Sequence, residues 1–259
     1  MSDIKKILET YRTRWIKEGW YNYDPIQFPL QYDNRQDREV VGILAALLAW
    51  GRRDIIANKM RYLLALLGRH PAQSIMNDTY DRRELELFKH RIYKGRHILI
   101  LLDTIAELLT EHGTIAKGFE KLEDGDIAGA MQDFYNLVIA RTPKSDERII
   151  THLVPDPSRG SACKRMTMFL RWMVRREYPD MGLWTEFSPA HLLISLDVHA
   201  WRAAKHLGLT SYANPSLKAA IEVTRNVSEL MGSEDPAKYD VALWLLGKDL
   251  SEKKSVVRL

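Results

Sequence analysis

Two residues whose types could do covalent chemistry lie thirty-three positions apart, Lys164 and Asp197, and each sits where the chain should begin a helix. Lys164 falls inside a basic, apolar-periodic segment, Gly160-Ser-Ala-Cys-Lys-Arg-Met-Thr-Met-Phe-Leu-Arg-Trp-Met-Val-Arg175, with Ser161 as a favoured N-cap. Asp197 is itself a favoured N-cap and heads Leu196-Asp-Val-His-Ala-Trp-Arg-Ala-Ala-Lys-His-Leu-Gly-Leu209, where Gly208 is a favoured terminator. An amine and a carboxylate therefore stand near two helix N-termini, where the dipole favours an ionised aspartate and disfavours a protonated lysine. A lysine made neutral in this way can act as a nucleophile. Later in the chain, Asp240 and Trp244 are four residues apart and share one helix face.

The elements that must hold these groups are helical. Ile4 to Ile16 reads as an amphipathic helix, followed by an irregular stretch, Tyr21 to Asn34, rich in aromatics and proline. Glu39 to Trp50 is apolar almost all round, as expected of a helix in the middle of a bundle; Gly51 ends it and Asp54 can cap the next, Ile55 to Leu67. Further helices are expected from Lys94 to Glu111, Asp126 to Ala140 and Ala162 to Arg176. A cap residue followed by proline at Ser188-Pro189, Asn214-Pro215 and Asp235-Pro236 predicts helices over 189–194, 215–231 and 236–247. No strand pair or repeat is evident. The fold expected is all-α, one unit spanning 1–259, with the polar tail 251–259 frayed.

Composition bounds the function. With 259 residues, 46% of them hydrophobic, the chain can bury a substantial core. The net charge of +4 is mild, but its distribution is not: Arg159, Lys164, Arg165, Arg171, Arg175 and Arg176 fall in one stretch without an acidic residue. The single cysteine, Cys163, excludes an internal disulfide and any four-cysteine metal site, and points to a reducing compartment. The longest apolar run, Val40 to Trp50, is too short to span a bilayer, and no basic-then-apolar leader opens the chain. His191, His199 and His206 lack an acidic partner at metal-ligand spacing, so no metal site is expected. These features describe a soluble cytoplasmic protein.

Two segments carry a family resemblance. Leu196–Leu209 resembles the Val-Asp-Thr-His-Val-x-Arg-Val-x-x-Arg-Leu-Gly-Leu segment of the helix-hairpin-helix DNA glycosylases, with Asp197 at the essential aspartate. Leu44-Ala-Ala-Leu-Leu-Ala-Trp-Gly-Arg-Arg-Asp-Ile-Ile-Ala-Asn-Lys59 resembles their Leu-Leu-Ser-Ala-Gln-x-x-Asp-x-x-x-Asn-Lys signature. Within this superfamily, which includes endonuclease III and the 8-oxoguanine glycosylases, the Lys164-to-Asp197 spacing is most similar to that of the archaeal 8-oxoguanine glycosylases. The hairpin departs from the pattern: Val154-Pro-Asp-Pro-Ser-Arg-Gly160 stands where Leu-Pro-Gly-Val-Gly is usual, and Gly51 replaces the glutamine that often fills the gap left by a flipped base.

The resemblance implies a two-lobed helical fold with the active site in the cleft between lobes. It implies a base-excision repair enzyme that flips an oxidised purine, 8-oxoguanine first among them, out of damaged double-stranded DNA. Lys164 would attack the sugar C1′, Asp197 would stabilise the developing positive charge, and β-elimination from the resulting imine would nick the strand. Asp240 would read the base edge, Trp244 would stack on the ring and Met168 would pack against it. Arg159, Gly160, Ser161 and Arg165, with Arg52 and Arg53, would contact the DNA; Arg52, Arg53 or Trp50 could supply the wedge. No metal or organic cofactor is required. The resemblance also implies a monomer without an obligate protein partner, associated with the nucleoid through DNA. A lyase acting only on abasic sites, a glycosylase for another base, a non-catalytic DNA-binding module and a helical protein-interaction domain remain open at this point.

Overall fold

A computed structural model of the chain describes residues 2–256, with side chains from Asp3 to Glu252. Its helices are α1 (Ser2–Lys17), α2 (Arg35–Leu47), α3 (Arg53–Leu67), α4 (Pro71–Met76), α5 (Arg82–Glu86) and α6 (Gly95–His112), then α7 (Ile127–Ile139), α8 (Glu147–Leu153), α9 (Lys164–Val174), α10 (Val198–His206), α11 (Leu217–Met231) and α12 (Asp240–Val256). The expected all-helical class is what the chain adopts. One small exception was not foreseen: β1 (Lys89–His90) and β2 (Tyr93–Lys94) pair antiparallel, His90 opposite Tyr93, in a hairpin too short to show alternation.

The innermost helix is α2. Asn34 caps it by accepting the Asp37 N–H at 3.1 Å, and Val40 through Leu47 are buried on every side, as its unbroken apolar run requires. It lies against α9 closely enough that a Cβ on Gly42 would come within 3.0 Å of Met173 Cε. The fully buried carboxylate of Glu39 is tolerated because it is saturated with donors: Trp184 Nε1 at 2.9 Å, the Ile115 N–H at 2.7 Å, Thr114 Oγ1 and Arg35 Nε. That hub ties α2 to the 3₁₀ segment Ile115–Leu122 and to the loop bearing Trp184.

The two helices beneath the candidate pair are fixed by backbone detail. Asp197 caps α10 as expected, its Oδ1 accepting the His199 and Ala200 N–H groups at 2.9 Å, and Gly208 follows the helix with φ 70°. Ser161 does not cap α9. Cys163 occupies that position in the left-handed region, φ 48°, and Ser161 Oγ accepts the Cys163 N–H at 3.2 Å instead, so the helix starts at Lys164. Helix α12 presses closely on the head of α10. A Cβ on Gly247 would lie 1.8 Å from the His199 carbonyl oxygen, so only glycine fits there.

Several other expected boundaries move. Helix α3 begins at Arg53 with Arg52 at the cap position, and Asp54 bonds to Arg52. The predicted helix at 189–194 is a single 3₁₀ turn, Pro189–His191; α11 is capped by Ser216, which accepts from Ala219, instead of by Asn214. Helix α12 runs on to Val256, and Ser251 Oγ, donating to the Gly247 carbonyl at 2.7 Å and accepting from Arg202, ties down the turn where the polar tail begins. The rest of that tail, 257–259, lies outside the described residues.

Candidate functional site

Lys164 is the first residue of α9 and Asp197 the residue before α10, and the fold brings the two starts together. Lys164 Nζ donates to Asp197 Oδ2 at 3.0 Å. The other carboxylate oxygen caps α10, so one side chain both starts a helix and grips the amine. Burial works to raise the Asp197 carboxyl, but the Lys164 ammonium and the Ala200 N–H outweigh it and hold it below the ordinary aspartate range. Asp197 is thus an ionised group beside an amine, suited to stabilising positive charge.

The pair opens into a cavity of about 290 Å³, near the lower limit of ligand pockets. Met168, one turn along α9, lines it, as do Asp240 and Trp244 from α12. All five residues expected to act on a base therefore face one cavity. Arg53 reaches it as well, its guanidinium 4.7 Å from the Trp244 ring and 5.3 Å from Trp20, which packs edge-on to Trp244 at 5.7 Å. Trp244 is half-buried, held on its flanks by these two groups.

Asp240 departs from the simple expectation of a free recognition group. It is buried, and its Oδ1 accepts from Arg171 Nη1. Arg171 also donates through Nε to Asp180 at 3.1 Å, and Arg175 joins Asp180, Asp235 and Glu177 behind it. Burial pushes Asp180 up to about 6 against the pull of both arginines, which leaves it ionised at neutral pH.

This network takes two arginines of the basic stretch from Arg159 to Arg176 away from solvent. Arg171 and Arg175 point inward to carboxylates. Arg165, expected on phosphates, turns inward too: its guanidinium donates to the carbonyls of Leu47 and His152 and to the Tyr93 hydroxyl, stitching α9 to α2 and α8. Arg159 stays exposed beside Asp156, Arg52 is exposed beside Asp54, and Gly160 and Ser161 are at the surface. Trp50 is packed between His152, at 4.3 Å, and the Arg91 guanidinium, at 4.0 Å, so it is not free to move as a wedge.

Cys163 is buried and its thiol is pushed up to about 12, the state of a packed and unreactive cysteine. Among the described residues no cluster of three or more histidines, cysteines or acidic residues could hold a metal, and no helix is long and apolar enough to cross a membrane.

The cavity also contains a residue that sequence reasoning passed over. Asp24 lines it from the Tyr21–Asn34 stretch, capping the 3₁₀ turn Pro25–Gln27 by accepting the Ile26 N–H at 3.2 Å. A signal was present: Asp24-Pro25 is the same cap-then-proline pair that marks Ser188-Pro189 and Asp235-Pro236.

A family model described as "Protein of unknown function (DUF2400)" matches residues 24–249. The chain belongs to that DUF2400 family. The matched stretch begins at Asp24 and takes in Lys164, Asp197, Asp240 and Trp244, so the acidic and basic groups of the cavity all lie inside the region that defines DUF2400. No curated protein and no solved structure matches the chain.

Proposed function

We propose that this DUF2400 protein is a DNA glycosylase with abasic-site lyase activity, acting on an oxidised purine, with 8-oxoguanine the first candidate. The observation that carries the proposal is the 3.0 Å contact between Lys164 Nζ and Asp197 Oδ2 at a cavity that also presents a thioether, an indole and a second aspartate. A base stacked in a duplex is out of reach, so the target nucleotide must enter such a cavity by extrusion. There Trp244 supplies a stacking surface and Asp240, fixed by Arg171, an acceptor for ring N–H groups. Lys164 attacks C1′, the base departs, and the imine that follows permits β-elimination. Asp197 stabilises the positive charge at the sugar. The two-lobed glycosylase fold, binding as a monomer to damaged duplex DNA, and a nucleoid location belong to the same proposal. DNA contact falls to Arg52, Arg53, Arg159, Gly160 and Ser161.

A second reading has its own support. Arg165, Arg171 and Arg175 are spent on internal partners, which weakens the electrostatic case for DNA and favours a non-catalytic helical interaction module. The experiment that separates the two is a gel assay of purified protein on duplexes carrying single lesions, with Lys164→Gln alongside. The proposal requires base release and strand scission that vanish in the variant. An intact strand under every lesion, with or without DNA binding, favours the module.

A further inference from the structure

Three carboxyl groups face the cavity, and they are not equivalent. Asp197 is ion-paired with Lys164, and Asp240 with Arg171. Asp24 has no ion pair among the described residues; the Ile26 N–H is the one donor its side chain holds. The charges that bear on it are Arg171 and Lys164 from α9 and Arg53 from α3, with Asp197, Asp240, His199 and Tyr23 lining the same space. Asp24 keeps part of its surface toward the cavity but lies deep in the protein, and desolvation there outweighs the three cations and raises its carboxyl above the ordinary aspartate range. Two groups in one site that burial and pairing drive in opposite directions are the usual makings of an acid and a charge stabiliser.

We propose that Asp24 is the acid of this cavity, holding a proton and delivering it to a ring heteroatom of the bound ligand while Asp197 stays ionised. The identity of that ligand, a purine base on a deoxyribose, rests on the glycosylase reading above. The Lys164 ammonium, paired with Asp197 at rest, first releases a proton to solvent; the free amine nitrogen then forms a bond to C1′ as the C1′–N bond to the base breaks. The electron pair of the broken bond leaves with the base, and the Asp24 O–H proton goes to a ring atom of that base. Asp24 is left as a carboxylate and regains a proton from solvent. The ammonium formed on Lys164 releases one proton to solvent, and its freed electron pair forms the imine as the C1′–O4′ bond breaks, O4′ taking a proton from solvent.

The test is Asp24→Asn, which keeps an oxygen for the Ile26 N–H and removes the acid. Carbon-13 NMR titration of the carboxyl groups in wild type and variant identifies the Asp24 resonance as the one missing from the variant. It should titrate above the ordinary aspartate range; titration at or below that range overturns the proposal. On a duplex with the lesion, base excision should fall by about 10²- to 10⁴-fold, the contribution typical of a positioned acid, and lose its decline toward alkaline pH. Cleavage of a preformed abasic site, which has no base to expel, should fall far less. Equal excision and an unchanged pH profile in the variant would overturn the role of Asp24 while leaving the glycosylase reading intact. A wild type that excises nothing would defeat that reading instead, and the titration alone would then decide whether Asp24 holds a proton.

Discussion

Replacing Arg171 with methionine removes the one cation that links two buried carboxylates. Arg171 is 5% exposed, bonded to Asp180 at 3.1 Å and to Asp240, and both acceptors are nearly as buried as it is. Methionine has nearly the right length and no charge, so the change isolates electrostatics from packing. Breaking a buried ion pair on one side costs about 3–5 kcal/mol, because the remaining charge is neither hydrated nor compensated. Asp180 retains Arg175, which sets the expectation at about 3 kcal/mol, a fall of roughly 6–12 °C in Tm at 2–4 °C per kcal/mol for a chain of this size. The penalty should depend on pH. Asp180 already sits above its unfolded value, and losing Arg171 raises it further. The stability it forfeits is therefore greatest at pH 7.5, shrinks as pH falls through the variant's raised folded value, and is gone once pH lies below the wild type's folded value of about 6. Urea denaturation of wild type and variant at pH 7.5 and pH 5 measures both effects. A loss below about 1 kcal/mol, or one that does not change with pH, would refute the claim that this network is a buried, charge-balanced unit.

Other consequences can be checked in the same way. Gly247→Ala should destabilise the chain by at least about 1–3 kcal/mol in urea melts, because its Cβ meets backbone, the His199 carbonyl, and not a movable side chain. Asp197→Ala should cost about 1 kcal/mol through loss of the α10 cap, whereas Asp197→Asn should cost less. Because the Asp197 carboxyl is held below its ordinary range, the stability it contributes is present above pH ~4 and disappears as pH falls through its folded value, so the deficit of the alanine variant should fade in acid. Asp24→Asn should run the other way. A carboxyl raised by burial opposes folding once ionised, so the variant should gain stability relative to wild type as pH rises above ~4, by thermal melts from pH 4 to 8.

The parts legible in the sequence were the ones written locally. Asp197 as a cap, Gly208 as a terminator and the all-round apolar run of α2 are short-range statements, and each is realised. The meeting of Lys164 with Asp197 was expected only by resemblance, since nothing within either segment specifies the other. What escaped was long-range or depended on burial. The arginines of α9 look like a solvent-facing basic stripe until Asp180, Asp235 and Asp240 arrive from two other parts of the chain. Periodicity cannot tell a charged face on water from one buried against opposite charge. Asp24 was hidden for a related reason: an irregular stretch has no period, and its place in the cavity comes from packing against α9 and α12 residues far along the chain. Ser161 was misread as a cap because the left-handed Cys163 intervenes, a conformation few non-glycine residues adopt.

The most direct test of the central claim is borohydride trapping with Lys164→Gln as control. Purified protein is incubated with borohydride and a duplex carrying 8-oxoguanine or a preformed abasic site. A covalent protein–DNA adduct should form with both duplexes and none with the variant, because only an imine through Lys164 can be reduced onto the strand. No adduct with either duplex, from folded wild-type protein that binds DNA, would contradict that claim.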